Sequence, residues 1–422
     1  MSRLPAFEPI RFAEQLEKSG NYASDNSLLY EWTGTHWKAL EDAMGERMAL
    51  KWIASDGRGS VNAANARAAY QTALRWLPMI GEPADTTVIP VRNGYLHLDH
   101  DLVLKPHDKA LGLRHVLSCD FDPSAPAPSE FNTFIERILP DSAVRARVQE
   151  YIGYTLLPDA RFQRAQIWLG SGANGKGTLA NLVQALHERT AAIQLDALDG
   201  FRMASMIGAS LIYCDEAPQR NINEQAMKSL IAGELVQIDR KYRDPITVRV
   251  NGKWLILANH IPAVTDQSTG FWRRFDVVPF PVEVPESERD PLLAKRIVTR
   301  ELAGVLNWAL EGLLRLLTRG RFDEIIPTSM RSAAQSARSE TNSVQAWGHD
   351  LGIELTTTVE TPKADVYANY AGWCRENGMV PVASPKFWKR LPDSIGAVSE
   401  GRMTTKAGRI RTCNVRLCPT SL

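Results

Sequence analysis

Residues 166–178 read Gln166-Ile167-Trp168-Leu169-Gly170-Ser171-Gly172-Ala173-Asn174-Gly175-Lys176-Gly177-Thr178, and the segment Leu179 to Leu186 follows directly. An apolar run, a Gly-rich turn with a lysine, then Leu179, Leu182, Val183 and Leu186 at helical spacing spell strand, turn and helix. That order aims backbone N–H groups and a helix N-terminus at anions, as phosphates require. Gly170 and Gly175 let the chain turn with no Cβ in the way. Lys176 is placed to give a point charge to the β- and γ-phosphates of a nucleotide, with Asn174, Gly177 and Thr178 completing the loop. Two other readings fit the same stretch. Gly170, Gly172 and Gly175 also satisfy GxGxxG, with Asp196 about twenty residues on, as a dinucleotide fold would have it. A Gly-rich turn can also be purely structural. Moreover, Gly177 stands where the usual loop has a Ser or Thr hydroxyl for Mg²⁺, which leaves Thr178 as the candidate for that role.

Downstream residues favour the triphosphate. Leu211-Ile212-Tyr213-Cys214-Asp215-Glu216 is an apolar strand ending in two acids, with Asp215 39 residues after Lys176. In a triphosphatase an Asp at that place holds the Mg²⁺ hydration shell and the Glu polarises the attacking water. The run Trp254-Leu255-Ile256-Leu257-Ala258 ends at Asn259, a neutral group able to orient water beside a γ-phosphate or simply to cap a turn. Gly270-Phe271-Trp272-Arg273-Arg274-Phe275 sets two guanidinium groups beside aromatics. Such groups bind surface acids, or stabilise transition-state charge when they reach a neighbour's site. Short apolar runs alternating with amphipathic helices from residue 165 onward predict an α/β unit with a parallel sheet and crossovers.

Taken in order, GSGANGKGT, LIYCDEAPQ, KYRDP, WLILANHIP and GFWRRFDVVPF resemble the superfamily 3 helicases of the AAA+ class, in particular the phage, plasmid and poxvirus-type primase-helicases. The likeness in arrangement covers about residues 165–281, and segments 28–37, 88–107 and 301–317 resemble the family's flanking regions. The resemblance implies a phosphate-binding Walker A lysine at Lys176, Mg²⁺ held at Asp215, a catalytic base at Glu216 and a sensor at Asn259. It implies a finger at Arg273 or Arg274 acting on a neighbouring copy. Arg240, Lys241, Tyr242 and Arg243, between Val236-Gln237-Ile238 and Ile246-Thr247-Val248, match the family's channel-lining hairpin. Cations at a hairpin tip meet the phosphates of a threaded strand, and Tyr242 is able to stack on a base. An exposed, solubilising tip is the plain alternative. The resemblance further implies ATP and Mg²⁺ as fuel, a hexamer, single-stranded and forked DNA as substrate, 3′-to-5′ movement, and a separate primase or initiator as a partner. Two other functions fit the same residues: an AAA+ machine that remodels proteins, and an origin-binding protein without turnover, for which Gly177 speaks.

The chain has 422 residues, enough for two or three domains. We place them at 1–125 (a mixed α+β region associated with the helicase core), 126–320 (the ATPase core with its helical flanks) and 345–422. The Pro-rich stretch Asp120–Ser129 marks the first boundary. Segment 28–37 reads as a hairpin, and 88–105 alternates around an Asn93-Gly94 turn. In helix 301–317, Leu302, Val305, Leu306, Ala309, Leu310 and Leu313 share one face; segment 328–343 reads as helix or linker. Asp99 and Asp101 read as turn residues rather than the paired acids of a primase, and His97, His100 and His107 as surface groups rather than metal ligands. No primase site is expected.

From 363 to 422, ten Lys and Arg face four Asp and Glu, although the whole chain carries only +1. Residues 363–376 read as a helix with Val366, Tyr370 and Trp373 on one face. A second helix is expected at 384–391 with Pro385 in its first turn, and a strand at 408–418. This order resembles a winged-helix DNA-binding domain, with Lys386, Lys389 and Arg390 near DNA and Phe387 and Trp388 in the core. A solvated basic surface is the alternative. Five cysteines without CxxC pairing predict a reducing compartment and neither zinc site nor disulfides, Cys413 and Cys418 being the nearest pair. No apolar run is long enough for a membrane span, and the N-terminus has no signal-peptide core. The expectation is a soluble protein of a bacterial cytoplasm or a host-cell interior.

Overall fold

The computed structural model describes residues 6–83, 87–98, 102–218, 222–240, 243–260, 264, 269–341, 343–377, 379, 381–405 and 408–417. The Gly-rich turn stands on a five-stranded sheet formed by β1 (Ala165–Leu169), β2 (Thr190–Ala192), β3 (Leu211–Cys214), β4 (Lys253–Ala258) and β5 (Phe275–Pro279). Every neighbouring pair is parallel, and the spatial order is β5-β1-β4-β3-β2. All six residues of β4 are buried. A strand covered on both faces has no polar side to show, so its sequence runs apolar without alternation. The three predicted runs are β1, β3 and β4. The sheet adds the edge strands β2 and β5.

One face is covered by α1 (Ser142–Thr155), α2 (Lys176–Leu186) and α3 (Leu293–Arg319), and the helix Ser129–Ile138 buries Phe131, Phe134, Ile135 and Ile138 in the same core. On α3, Val305, Leu306, Ala309, Leu310 and Leu313 are buried as their spacing predicted, and Leu302 is partly so. Helices α1 and α3 meet where a Cβ on Gly153 would strike the Ala309 carbonyl and one on Gly312 the Gln149 backbone. Across the sheet edge, the Arg147 guanidinium forks onto Asp276 at 2.7 and 3.0 Å, with both side chains almost wholly buried. That pair ties α1 to β5.

The N-terminal region holds helices Ile10–Ser19, Asp42–Asp56 and Ala63–Trp76 around a three-stranded antiparallel sheet. The predicted hairpin is there, with Trp32 opposite Trp37. Ala23, Leu28, Tyr30, Trp37 and Ile80 join the core on the second face of the main sheet. A second sheet pairs Val88–Val91, Gly94–Leu98 and Leu102–Lys105. Its turn is Arg92-Asn93, one residue earlier than Asn93-Gly94, because Gly94 pairs with Val91. Asp99, His100 and Asp101 lie outside the described residues. His107 is a correction: it is half-buried, its Nε2 lies 2.9 Å from the Val91 carbonyl oxygen, and its ring meets Tyr95 edge-on. His97 is likewise half-buried rather than on the surface, because its strand is the middle one of that sheet. No group of three or more His, Cys, Asp or Glu among the described residues is arranged to hold a metal. Phe121 is buried, its backbone clamped by the Asn93 amide at 2.9 Å both ways, and Asn307 of α3 donates to the Asp122 carbonyl at 2.8 Å.

Beyond α3, helices Thr328–Thr341 and Ser343–Asp350 lead into a unit with its own core around Trp347, Tyr370 and Phe387. Helix Lys363–Glu376 buries Val366, Tyr370 and Trp373. The second helix, Ser384–Ile395, carries Pro385 at its start but runs past the predicted end, through Pro392. The predicted strand 408–418 is Gly408–Cys413, broken at Asn414 and resumed at Val415–Arg416; its partner Glu400–Thr405 was not foreseen. Phe387 is fully buried, whereas Trp388 is partly exposed under the ammonium of Lys363. Cys413 is a buried free thiol, and Cys418 lies outside the described residues. No helix among the described residues is long and apolar enough to cross a membrane.

Candidate functional site

The Gly-rich loop joins the carboxyl end of β1 to the first turn of α2. Gly172 (φ 107°) and Gly175 (φ 81°) take left-handed conformations that cost other residues energy, and a Cβ on Gly175 would lie 2.6 Å from the Ile138 side chain. Buried Asn174 spans the loop, with Nδ2 3.5 Å from the Phe280 carbonyl and Oδ1 3.5 Å from the Lys176 amide. A Cβ on Gly170 would collide with that Asn174 amide, so the two residues specify each other. The Val284 amide fixes the Ala173 carbonyl at 2.8 Å.

Lys176 is 6% exposed. Its Nζ donates to the Gly170 carbonyl and reaches the Asn259 Oδ1 at 3.4 Å. Both acceptors are neutral, and among the described residues no carboxylate pairs with it. Burial pushes its pKa below that of an ordinary lysine. A desolvated cation with no counter-ion is stabilised by an incoming anion.

Strand β3 ends at Cys214, which leaves Asp215 and Glu216 exposed beyond its carboxyl end. The Tyr213 hydroxyl donates to Asp215 Oδ1 at 2.6 Å, and the Ala217 amide ties the turn to Leu257 of β4 at 3.0 Å. Asn259 follows directly on β4. The loop residues 172–178, Asp215, Glu216, Leu257, Ala258 and Asn259 line one cleft of about 410 Å³. Open α/β sheets bind ligands in such a crevice, outside the carboxyl ends of the strands. Backbone donors, a buried lysine, two carboxylates and an amide there suit a polyphosphate with a divalent cation. Thr178 lines the cleft. Space does not enforce glycine at 177, since a Cβ there would meet nothing within 4 Å.

The dinucleotide reading does not survive the topology. That fold sets its second strand beside the first, whereas β4 and β3 intervene here and Asp196 follows edge strand β2.

Other candidates lie elsewhere. Arg273 and Arg274 precede β5, where the Arg164 guanidinium donates to the Arg273 carbonyl and the Ala165 amide to that of Arg274 at 2.7 Å. They occupy the amino end of the sheet, the full length of a strand from the cleft. Arg273 is exposed; Arg274 is half-buried, its pKa lowered by burial first and by Arg273 second. The predicted hairpin exists as Leu235–Arg240 and Arg243–Arg249, with Val236 opposite Val248 and Ile238 opposite Ile246. Arg240 does not project freely, since its Nη1 bonds Asp42 Oδ2 at 2.8 Å and its Nε donates to the Asp244 carbonyl at 3.1 Å. Lys241, Tyr242 and the Arg243 side chain lie outside the described residues. Lys386 and Lys389 are exposed, and Arg390 is half-buried. The sequence reading missed Tyr213 and Asp42. The period of two along a strand puts Tyr213 on the side of Asp215, a signal that was there to read.

Residues 10–140 match the family described as D5 N terminal like, and residues 168–274 match a family of unknown function, DUF5906. A candidate helicase of Acanthamoeba polyphaga mimivirus is 27% identical over 161 residues, which take in 35% of this chain. The match spans only 17% of that relative's length. The apo structure of the NrS-1 C-terminal region is similar in fold, with a TM-score of 0.52 at 13% identity over 97% of this chain and 99% of that one. Its A form gives 0.51 at 12% identity, over 97% and 100%.

Proposed function

We propose that this chain is an ATP-driven DNA helicase of the superfamily 3, AAA+ type, working as a ring in the replication of a phage, plasmid or other mobile element. One observation carries the reading: Gly175-Lys176, Asp215-Glu216 and Asn259, far apart in sequence, line a single cleft at the carboxyl ends of a parallel sheet. The match of residues 10–140 to the D5 N terminal like family and the likeness of part of the chain to a candidate helicase support it. On this reading Lys176 and the loop amides bind the phosphates, and Asp215, with Thr178 beside it, holds the Mg²⁺ shell. Magnesium supplies charge neutralisation on the transferred phosphoryl group. Glu216 takes the proton of the attacking water, and Asn259 orients that water. Tyr213 fixes the rotamer of Asp215. Arg273 or Arg274 serves the cleft of an adjacent copy, which accounts for their distance from their own. The hairpin bearing Lys241 carries single-stranded DNA, and the C-terminal unit, read as winged-helix-like, adds contacts through Lys386, Lys389 and Arg390.

The test is Mg²⁺-dependent ATP hydrolysis with and without single-stranded DNA, followed by strand displacement on forked duplexes of either tail polarity. Lys176→Ala and Glu216→Gln are expected to lower turnover by at least about a hundredfold with the fold retained. Full turnover by either variant counts against the assignment. Gly177 favours a second reading, an origin-binding or remodelling ATPase without strand separation. Hydrolysis that DNA does not stimulate, or its absence, would select it.

A further inference from the structure

Four arginines gather at the amino end of the sheet: Arg147 on α1, Arg164 directly before β1, and Arg273 and Arg274 directly before β5. Among the described residues, Asp276 is the one carboxylate that pairs with them. Both of its oxygens are already taken by Arg147, whose guanidinium also lies 4.5 Å over the Phe322 ring. Arg164 stands 3.7 Å from one of those oxygens, too far for a hydrogen bond, and its Nε is buried with no partner among the described residues. A second, partly desolvated cation on an acid already satisfied is a poor source of stability. What Arg164 does hold is main chain, since its Nη1 donates to the Arg273 carbonyl. The Arg274 amide donates to the Phe271 carbonyl at 3.1 Å, and the Ala165 amide to the Arg274 carbonyl at 2.7 Å. The peptide between Arg273 and Arg274 is therefore clamped at both its carbonyl and its N–H.

The two side chains leave this clamp differently. The Arg274 guanidinium turns back, its Nη1 donating to the Gly270 carbonyl and its Nε buried without a partner among the described residues. Arg273 is exposed, and among the described residues no acid pairs with it. A guanidinium committed to its own chain is not available to another molecule, whereas one left free on a fixed backbone is organised in advance for a partner. We propose that Arg164 is a positioning residue: it fixes the peptide from which Arg273, and not Arg274, reaches the nucleotide cleft of an adjacent copy. The assignment rests on the motor reading and adds to it the choice of arginine and the residue that aims it. Arg147 and Asp276 anchor Arg164 in turn, so that the reach of Arg273 is set from helix α1.

The experiment measures kcat and KM for Mg²⁺-ATP, together with the thermal midpoint, for variants of the full chain alone and in mixed pairs. Arg273→Lys is expected to lower kcat at least about tenfold more than Arg274→Lys. A finger works through its planar fork, while a lysine at 274 still has a donor for the Gly270 carbonyl. Arg164→Met should lower kcat at least about tenfold with KM and thermal midpoint close to wild type, since a reacting group misplaced by about 1 Å loses its target. Arg164→Lys, which keeps a donor, should recover part of that loss. Mixing sorts the defect by half-site. Arg164→Met copies should regain hydrolysis with Glu216→Gln copies, which bring an intact finger, and gain nothing with Arg273→Ala copies, which do not. Recovery with Arg273→Ala copies instead would overturn the proposal, as would a larger loss from Arg274→Lys or a fall in thermal midpoint that accounts for the lost turnover. A wild-type chain that hydrolyses no ATP sinks the motor reading and this assignment with it. Active wild type with an equally active Arg164→Met sinks this assignment alone.

Discussion

His187 shows how one buried residue sets a pH limit. Its ring nitrogens lie 2.8 Å from the Ser210 hydroxyl and 3.1 Å from that of Thr155, and burial pushes its pKa down to about 3, with Lys253 adding to the shift. His36 is lowered to about 4, again chiefly by burial. Between pH 6.5 and about 4 the unfolded chain therefore binds protons at these sites that the folded chain refuses. Stability is present above 6.5 and is lost as pH falls, by up to about 1.4 kcal/mol per pH unit for His187. Thermal unfolding between pH 7 and 4.5 should show that slope, and His187→Gln should reduce it. At this scale the gathering of Lys176, Asp215, Glu216 and Asn259 in one cleft was legible, because Asp215, Glu216 and Asn259 follow apolar runs that read as strands and Lys176 follows a Gly-rich turn after another. Asp42, the partner of Arg240, was not, because 198 residues separate the two and no local pattern links them.

Among the elements, the hairpin Leu235–Arg249 is held by the N-terminal region rather than standing free. Asp42 takes Arg240 while the Tyr70 hydroxyl fixes the other Asp42 oxygen at 2.6 Å, and Glu82 lies 3.6 Å from Arg249 at the hairpin's base. The Asp42 pair is mostly buried, so breaking it costs about 1–3 kcal/mol. Asp42→Asn is expected to lower thermal stability by that order and to tighten binding of single-stranded DNA by freeing a guanidinium. Anisotropy with a labelled single strand checks the second effect; unchanged affinity would show that Arg240 takes no part. Strands β1, β3, β4 and both hairpin strands were readable from their patterns. Edge strand β2 was not, since three residues hold no period, and β5 was hidden because Phe275-Asp276-Val277 places within the strand an acid that distant Arg147, with Arg164 at 3.7 Å, makes tolerable.

For the molecule as a whole, the proposed activity separates two half-sites. Mixing Glu216→Gln copies with copies carrying Arg273→Ala and Arg274→Ala, each inactive alone, should restore about a quarter of wild-type hydrolysis in an equal random mixture. Hydrolysis rates of the mixture against its components decide it, and no recovery would place the finger elsewhere. The sheet's polarity then has an arithmetical consequence. On the proposed reading, with the receptive crevice at one pole and the basic pair at the other, copies would join plug to socket, and a row would always end on one socket with nothing in it. Only closure fills that last socket, so turnover per copy should climb with assembly length and level off once the circle is complete.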